Sequence, residues 1–269
     1  MPTTGTNWSG RKSHWATSPI SLFFLGLFFS SCTDAPDDAR PALVIIGATA
    51  QTAETLIPLA LDRGYPVIGI ARRPEAVALR HHRLTVLKGD VYDRGSIEAA
   101  LTGTEIVISL VGPRVDASQP IPEMDLFSTG YTNIIAAMKT KGNSRLLATS
   151  SNGAQKVMLD PPGENAPRAD HWLWQIRGIY NDMRLMESIV SDSGLDFTIL
   201  RPGQLMPEPA RQDLKIVVDA QAPELRLITY ADFALFILDE VAAAQHVGHA
   251  VGLYSDRQLE YGVNFSTSD

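Results

Sequence analysis

The sequence predicts an α/β domain built on a doubly wound parallel sheet. Three observations predict it. From Ala42 onward, apolar runs of strand length alternate with longer stretches of helical period, the pattern of a parallel sheet covered on both faces. The first run ends in a glycine-led turn that opens a helix. A composition 45% hydrophobic and 20% charged supplies a packed interior, and 269 residues fit one core with a small C-terminal substrate lobe.

Ala42-Leu43-Val44-Ile45-Ile46 reads as the first strand, and Thr52 to Arg63 as the helix after it, with Ala53, Leu56, Ile57 and Ala60 on one face. Pro58 is a point of kinking, and Gly64 ends the helix. Pro66 to Ala71 is the second strand, followed by a short helix from Pro74 to His81, and Leu84 to Leu87 is the third. Ser96 to Leu101 reads as helix, Ile106 to Val111 as a fully buried fourth strand, and Asp125 to Lys139 as the next helix. Leu146 to Thr149 is the fifth strand, His171 to Ser191 a long helix, and Phe197 to Leu200 the sixth strand. Tyr230 to Ala244 is helical, and a late strand lies near Ala250 to Tyr254. Val157 to Asp170 and Pro207 to Glu224 break the rhythm and read as substrate loops, because loops after strand C-termini line the ligand crevice of such sheets.

The net charge of −7 argues against nucleic acid as a main partner, since phosphate contacts need clustered Lys and Arg, and points to a small-molecule substrate. Cys32 is the only cysteine, so an intrachain disulfide and a cysteine metal cluster are both excluded. Among six histidines only His246 and His249 have helical pair spacing, and no third ligand accompanies them; no metal site is expected.

Residues 1–32 have the plan of a secretory signal: Arg11, Lys12 and His14, then the apolar run Ile20 to Phe29, then Ser30 and Ser31. The run is shorter than the ~20 residues that span a bilayer comfortably, which favours a signal over a permanent membrane helix. Phe29-Ser30-Ser31-Cys32 resembles a bacterial lipoprotein box, with Cys32 as the lipidated residue. Residues 33–41 would then be a tether, 42–256 the domain and 257–269 a tail; the expected location is exported, membrane-anchored or periplasmic, or cytoplasmic if the signal is misread.

The turn after the first strand is Gly47-Ala48-Thr49-Ala50-Gln51-Thr52-Ala53. It resembles the GATGxxG turn of the extended and atypical short-chain dehydrogenase/reductase superfamily, above all its NmrA-like and biliverdin reductase B-like branches. Thr129 to Ala137, Thr149-Ser150-Ser151-Asn152-Gly153-Ala154, Ser193 to Gly203 and Ile228 to Ala234 extend the likeness to about Asp256. It implies a Rossmann fold that binds NAD(P), with Gly47, Thr49, Ala50, Gln51, Thr52, Asp90, Val91, Val111 and Gly112 at the cofactor. Both later glycines of the turn are alanine here. In the pattern the second lets the backbone approach the pyrophosphate and the third lets helix and strand pack closely. Ala53 is therefore a mild change, whereas the Ala50 methyl would cost roughly a few kcal/mol if the phosphate cannot shift. Arg72 and Arg73 follow the second strand, where arginine suits the 2′-phosphate of NADP; a solvated basic pair is the other reading. Gly89-Asp90 could likewise be a plain turn.

In the wider superfamily a serine polarises the substrate carbonyl, a tyrosine moves the proton, and a lysine four residues on lowers the pKa of that tyrosine. Ser150 or Ser151 occupies the serine region, and Tyr180 and Arg184 have the i, i+4 spacing that shares one helix face. Arginine does not give up its proton as lysine does. Counting back from Glu187 instead puts Met183 at the lysine position. Trp172 and Trp174 either wall a pocket or pack a helix onto the sheet, and Asp232 is a favourable charge at a helix start.

The first reading is an NADPH-dependent oxidoreductase of the atypical short-chain class acting on a small carbonyl-type substrate. The alternatives are a non-catalytic dinucleotide sensor of NmrA-like type, and a degenerate fold that serves as an exported interaction domain. Export and the two alanines point the same way, toward reduced cofactor use.

Overall fold

Every residue of β1 (Leu43–Ile46) is buried, as a central strand covered on both faces must be. In the computed structural model the described residues are 40–113, 119–121, 123–155, 160–166, 168–223 and 226–257, all within one unit, Pro36–Asp269. The elements are β1, α1 (Gln51–Asp62), β2 (Val67–Ala71), β3 (Leu84–Lys88), α2 (Arg94–Glu98), β4 (Ile106–Ser109), α3 (Leu126–Lys141), β5 (Arg145–Thr149), α4 (Arg168–Gln175), α5 (Arg177–Ser191), β6 (Asp196–Pro202), β7 (Gln204–Met206), β8 (Lys215–Val218), β9 (Leu227–Thr229), α6 (Tyr230–Ala243) and β10 (His249–Tyr254).

The sheet order is β3-β2-β1-β4-β5-β6-β10-β8, parallel throughout except for the antiparallel edge strand β8 on β10, and β7 and β9 form a separate parallel pair. The expected doubly wound sheet is thus present. Alternation along β1 sends Leu43 and Ile45 into a core shared with α1 and α6, and Val44 and Ile46 into one shared with α2, α3 and α5. Leu56 and Phe233 are fully buried in the first core, and Phe127, Tyr131 and Ile134 in the second. Burial of each such side chain contributes about 1.5–3 kcal/mol.

Three expectations are corrected. Pro207 to Glu224 is not all loop: β8 lies within it and extends the sheet through backbone pairing with β10. The helix expected over His171 to Ser191 is two helices broken at Ile176, where Ile121 interposes, its N–H donating to Gln175 O (2.7 Å) and its carbonyl accepting from Gly178 N (2.9 Å). The helix expected from Pro74 to His81 is a single turn, Pro74–Ala76, in which no residue is buried and so nothing packs a longer helix. The expected signal, lipoprotein box and most of the tether lie outside the described residues, as does the tail beyond Arg257. Among the described residues no helix is long and apolar enough to cross a membrane.

Candidate functional site

Because β1 to β5 run parallel, the turns that follow them share one edge of the sheet. That edge holds the Gly47–Thr52 turn, Arg72 and Arg73, Asp90 and Val91, Val111 and Gly112, and Ser150 and Ser151. The strand order reverses between β1 and β4, the position at which open α/β sheets leave a crevice.

Gly47 needs to be glycine. Its φ is +90°, and a Cβ there would stand 2.9 Å from the Leu110 carbonyl oxygen at the exit of β4. Ala50 has no such need: as N-cap of α1 it sits at φ −74°, ψ 150°, an ordinary extended conformation, and it packs against the core. Ala53 is fully buried between helix and sheet, so its methyl fills space there. No side chain caps α1, and among the described residues the N–H groups of Thr49, Gln51 and Thr52 meet no backbone carbonyl. Free N–H groups at the positive end of a helix suit a diphosphate.

Arg72 and Arg73 are exposed, and among the described residues neither guanidinium has a hydrogen bond or ion pair. The Asp90–Val91 turn is set from two sides. Asp90 Oδ1 accepts from Tyr92 N (3.1 Å), and Asn133 Nδ2 of α3 donates to Val91 O (2.8 Å). Val91 presses on Gly130, where a Cβ would stand 3.0 Å from its Cγ2.

At the ends of β4 and β5 the hydroxyls of Ser109, Thr149 and Ser150 are buried with no hydrogen-bond partner among the described residues. Unpaired buried hydroxyls are uncommon, and three of them meet here at the strand ends. Ser151, by contrast, is engaged: its Oγ accepts from Gly153 N at 3.1 Å. Tyr131 of α3 spans the same strand ends, its hydroxyl 3.3 Å from Thr149 O and 3.5 Å from Ser109 O, and burial raises its pKa.

Tyr180 comes to this region from α5 and lies on the turn Asn152–Gln155, where a Cβ on Gly153 would be 2.7 Å from its ring carbons. Burial pushes its phenol up to about 12. Arg184 donates Nη1–H to Ala154 O (2.8 Å) and also bonds the Asn181 side chain, so it clamps that turn against α5. The desolvation of Arg184 lowers its pKa, against the opposing charge of Glu187. The helix is anchored by Glu187, which takes Arg201 of β6 in a two-point pair at 2.9 and 2.6 Å, and by Asp182, whose carboxylate accepts from Phe127 N (2.6 Å) and Ser128 N (3.1 Å) at the start of α3. The Trp174 ring is covered by Arg177 at 4.2 Å, while the side chain of Trp172 lies outside the described residues. Asp232 is more than a favourable charge: Thr229 Oγ1 bonds it (2.7 Å), and it accepts from the N–H groups of Arg211 and Gln212, holding that loop on α6. His246 and His249 do not share a ligand; Glu240 takes one at 2.8 Å and Asp219 the other at 2.5 Å.

Sequence reasoning missed three features: the buried hydroxyls of Ser109 and Thr149, the cap that Asp182 provides, and Tyr230, which donates to Gln51 Oε1 at 2.5 Å. Only Tyr230 and Thr149 lay in segments the resemblance had marked.

Comparison with known proteins agrees with this geometry. Residues 47–244 match the NAD(P)H-binding family. A cinnamoyl-CoA reductase from Petunia hybrida is 29% identical over 138 residues, 48% of this chain and 40% of that protein. The chain spans about two fifths of the length of the first curated relatives it matches. Among solved structures, ChuY, an anaerobillin reductase from Escherichia coli O157:H7, superposes with a TM-score of 0.65 at 21% identity, covering 81% of this chain and 99% of that one. A short-chain dehydrogenase/reductase from Veillonella parvula in complex with NADP superposes with a TM-score of 0.63 at 21% identity, covering 84% and 99%. At these identities the structures establish the fold, and the match from Gly47, the first residue of the turn, establishes the rest: the chain belongs to the family of NAD(P)H-binding Rossmann domains.

Proposed function

We propose that the domain is an NADP-dependent oxidoreductase of the atypical short-chain class that acts on a small carbonyl-type substrate. One observation carries the cofactor choice: Arg72 and Arg73 stand exposed after β2 with no partner among the described residues, on the same sheet edge as the open N-terminus of α1. A guanidinium there suits a 2′-phosphate, while the N–H groups of Thr49, Gln51 and Thr52 suit the diphosphate. Gly47, the free N–H groups and the unpaired hydroxyls fit a bound dinucleotide, and the Ala50 backbone does not oppose it.

When bound, the nicotinamide supplies or accepts hydride. The chain's part is to hold the substrate oxygen. Ser150 offers a buried hydroxyl with no partner among the described residues, and Tyr180, whose pKa burial raises, offers a phenol that donates to a substrate oxygen as it gains charge. Arg184 acts on the turn under Tyr180 through Ala154.

A second reading, a dinucleotide sensor without catalysis, is favoured by the same phenol. Among the described residues no cation offsets the burial that raises its pKa. Calorimetric titration of the full chain with NADPH and NADH, followed by single-turnover mixing with a panel of small aldehydes and ketones, separates the readings. Micromolar NADPH binding with hydride transfer supports the enzyme, and binding without transfer supports the sensor. No binding of either nucleotide overturns both.

A further inference from the structure

Tyr230 and Gln51 are the first residues of α6 and α1, and their side chains meet although 179 positions separate them. The Tyr230 hydroxyl donates to Gln51 Oε1 at 2.5 Å. The amide oxygen has no hydrogen to give, so the phenol is the donor; burial, and then the charge of Glu54, raise its pKa. Tyr230 is itself held firmly. The preceding Thr229 is buried and caps α6, its Oγ1 accepting from Asp232 N at 2.9 Å.

This contact fixes which end of the Gln51 amide is free. With Oε1 turned to Tyr230, the Nε2 group and its two N–H donors form the free end of the exposed side chain, beside the backbone N–H groups of the first turn of α1. The position matters because the neighbouring residue is Ala50. A methyl at the place where glycine permits close backbone approach holds an anion farther out, and a side-chain donor reaches farther than the backbone does.

We propose that Tyr230 is a positioning residue for the cofactor: by holding Gln51 Oε1 it turns Gln51 Nε2 toward the diphosphate and so compensates for the alanine at position 50. The inference rests on the cofactor reading above and adds the first residue of α6 to that site. It also makes Gln51 a donor through its side chain, beyond its place in the turn.

The test uses the full chain, Tyr230→Phe, Gln51→Ala and the double variant, each titrated with NADPH and with adenosine 2′-monophosphate, which carries the 2′-phosphate and lacks the diphosphate. Tyr230→Phe removes one oxygen and keeps the ring, so packing against α1 survives. The expected result is an NADPH affinity about tenfold weaker in either single variant, no further loss in the double variant, and adenosine 2′-monophosphate binding within about twofold of wild type. Unchanged NADPH affinity in Tyr230→Phe, equal weakening for both ligands, or additive losses in the double variant would overturn the positioning role and leave the cofactor reading intact. A wild type that binds no NADPH overturns both.

Discussion

The ring of Tyr180 rests on the backbone of Gly153, so closely that a Cβ at position 153 would stand 2.7 Å from its Cε1 and Cζ and 2.9 Å from its hydroxyl. The absence of a side chain at one residue therefore sets where a candidate catalytic phenol lies. Gly153→Ala is expected to push the ring or the turn aside and to destabilise the domain by about 1–3 kcal/mol, with loss of any Tyr180-dependent rate. Denaturant unfolding checks it: a variant with the wild-type midpoint would show that the ring does not depend on this contact.

The two alanines of the nucleotide turn are expected to behave oppositely. Ala53 is fully buried within α1, so Ala53→Gly should cost about 1–2 kcal/mol through lost helix propensity and a small void. Ala50 lies at the helix N-cap, where glycine is preferred to alanine, so Ala50→Gly should keep or slightly raise stability, by up to about 1 kcal/mol, and strengthen NADPH binding. Thermal melts and titrations of both variants test the contrast, which fails if Ala50→Gly melts with the Ala53 variant or binds NADPH no better than wild type.

Arg72→Ala is expected to weaken NADPH binding by about tenfold and to leave NADH binding unchanged, because only the former carries the 2′-phosphate. Parallel titrations decide it. Equal loss for both nucleotides would place Arg72 at some other part of the cofactor, and no loss would make it a solvated surface charge.

Glu105 gives a pH dependence of known sign. Burial alone would raise its pKa, but hydrogen bonds from Thr102 and Asn143, with further backbone N–H donors, outweigh burial and bring it to about 2. A carboxylate lowered in the folded state stabilises the fold above its unfolded value of 4.5, and that contribution, on the order of 2–3 kcal/mol, is lost as pH falls toward about 2. Unfolding free energy of wild type should therefore drop through that window. Glu105→Gln should be less stable at neutral pH and show a shallower drop; parallel curves would remove Glu105 as the source.

Lipidation is tested at Cys32, outside the described residues. Expressed in a bacterial host and fed a labelled fatty acid, the wild-type chain should take up label and fractionate with membranes, and Cys32→Ala should do neither. Unchanged fractionation of the variant would end the lipoprotein reading.

Much of the fold was legible because its information is local. The four buried residues of β1 and the 3.6-residue period of α1 are written into adjacent positions. The rest depends on distant partners. β8 is four residues long in a stretch rich in turn formers, and it is a strand only because Tyr254, Leu253, Gly252 and Val251 of β10 pair with it. The break at Ile176 is made by Ile121, which no periodicity between residues 171 and 191 could reveal. The same division holds at the candidate site. A parallel sheet puts all its strand-exit turns on one side, so Gly47, Arg72, Asp90, Gly112 and Ser150 could be gathered from sequence. Tyr230 could not be placed against Gln51, nor Asp182 at the start of α3, because each reaches its partner from another element.

The opposite end of the sheet is organised differently. There Glu240 of α6 accepts from Arg145 Nη2 (2.8 Å), Thr198 Oγ1 (3.0 Å) and His246 N (3.0 Å), with the His246 ring 2.8 Å from its other oxygen. These groups serve one another across β5, β6 and the approach to β10, whereas the hydroxyls of Ser109, Thr149 and Ser150 at the far ends of the strands have no hydrogen-bond partner among the described residues. The cluster around Glu240 thus ties β5, β6 and α6 together at the end of the strands away from the candidate site. A lineage that keeps this cluster could trade one ligand for another, or abandon ligands altogether, while inheriting its shape.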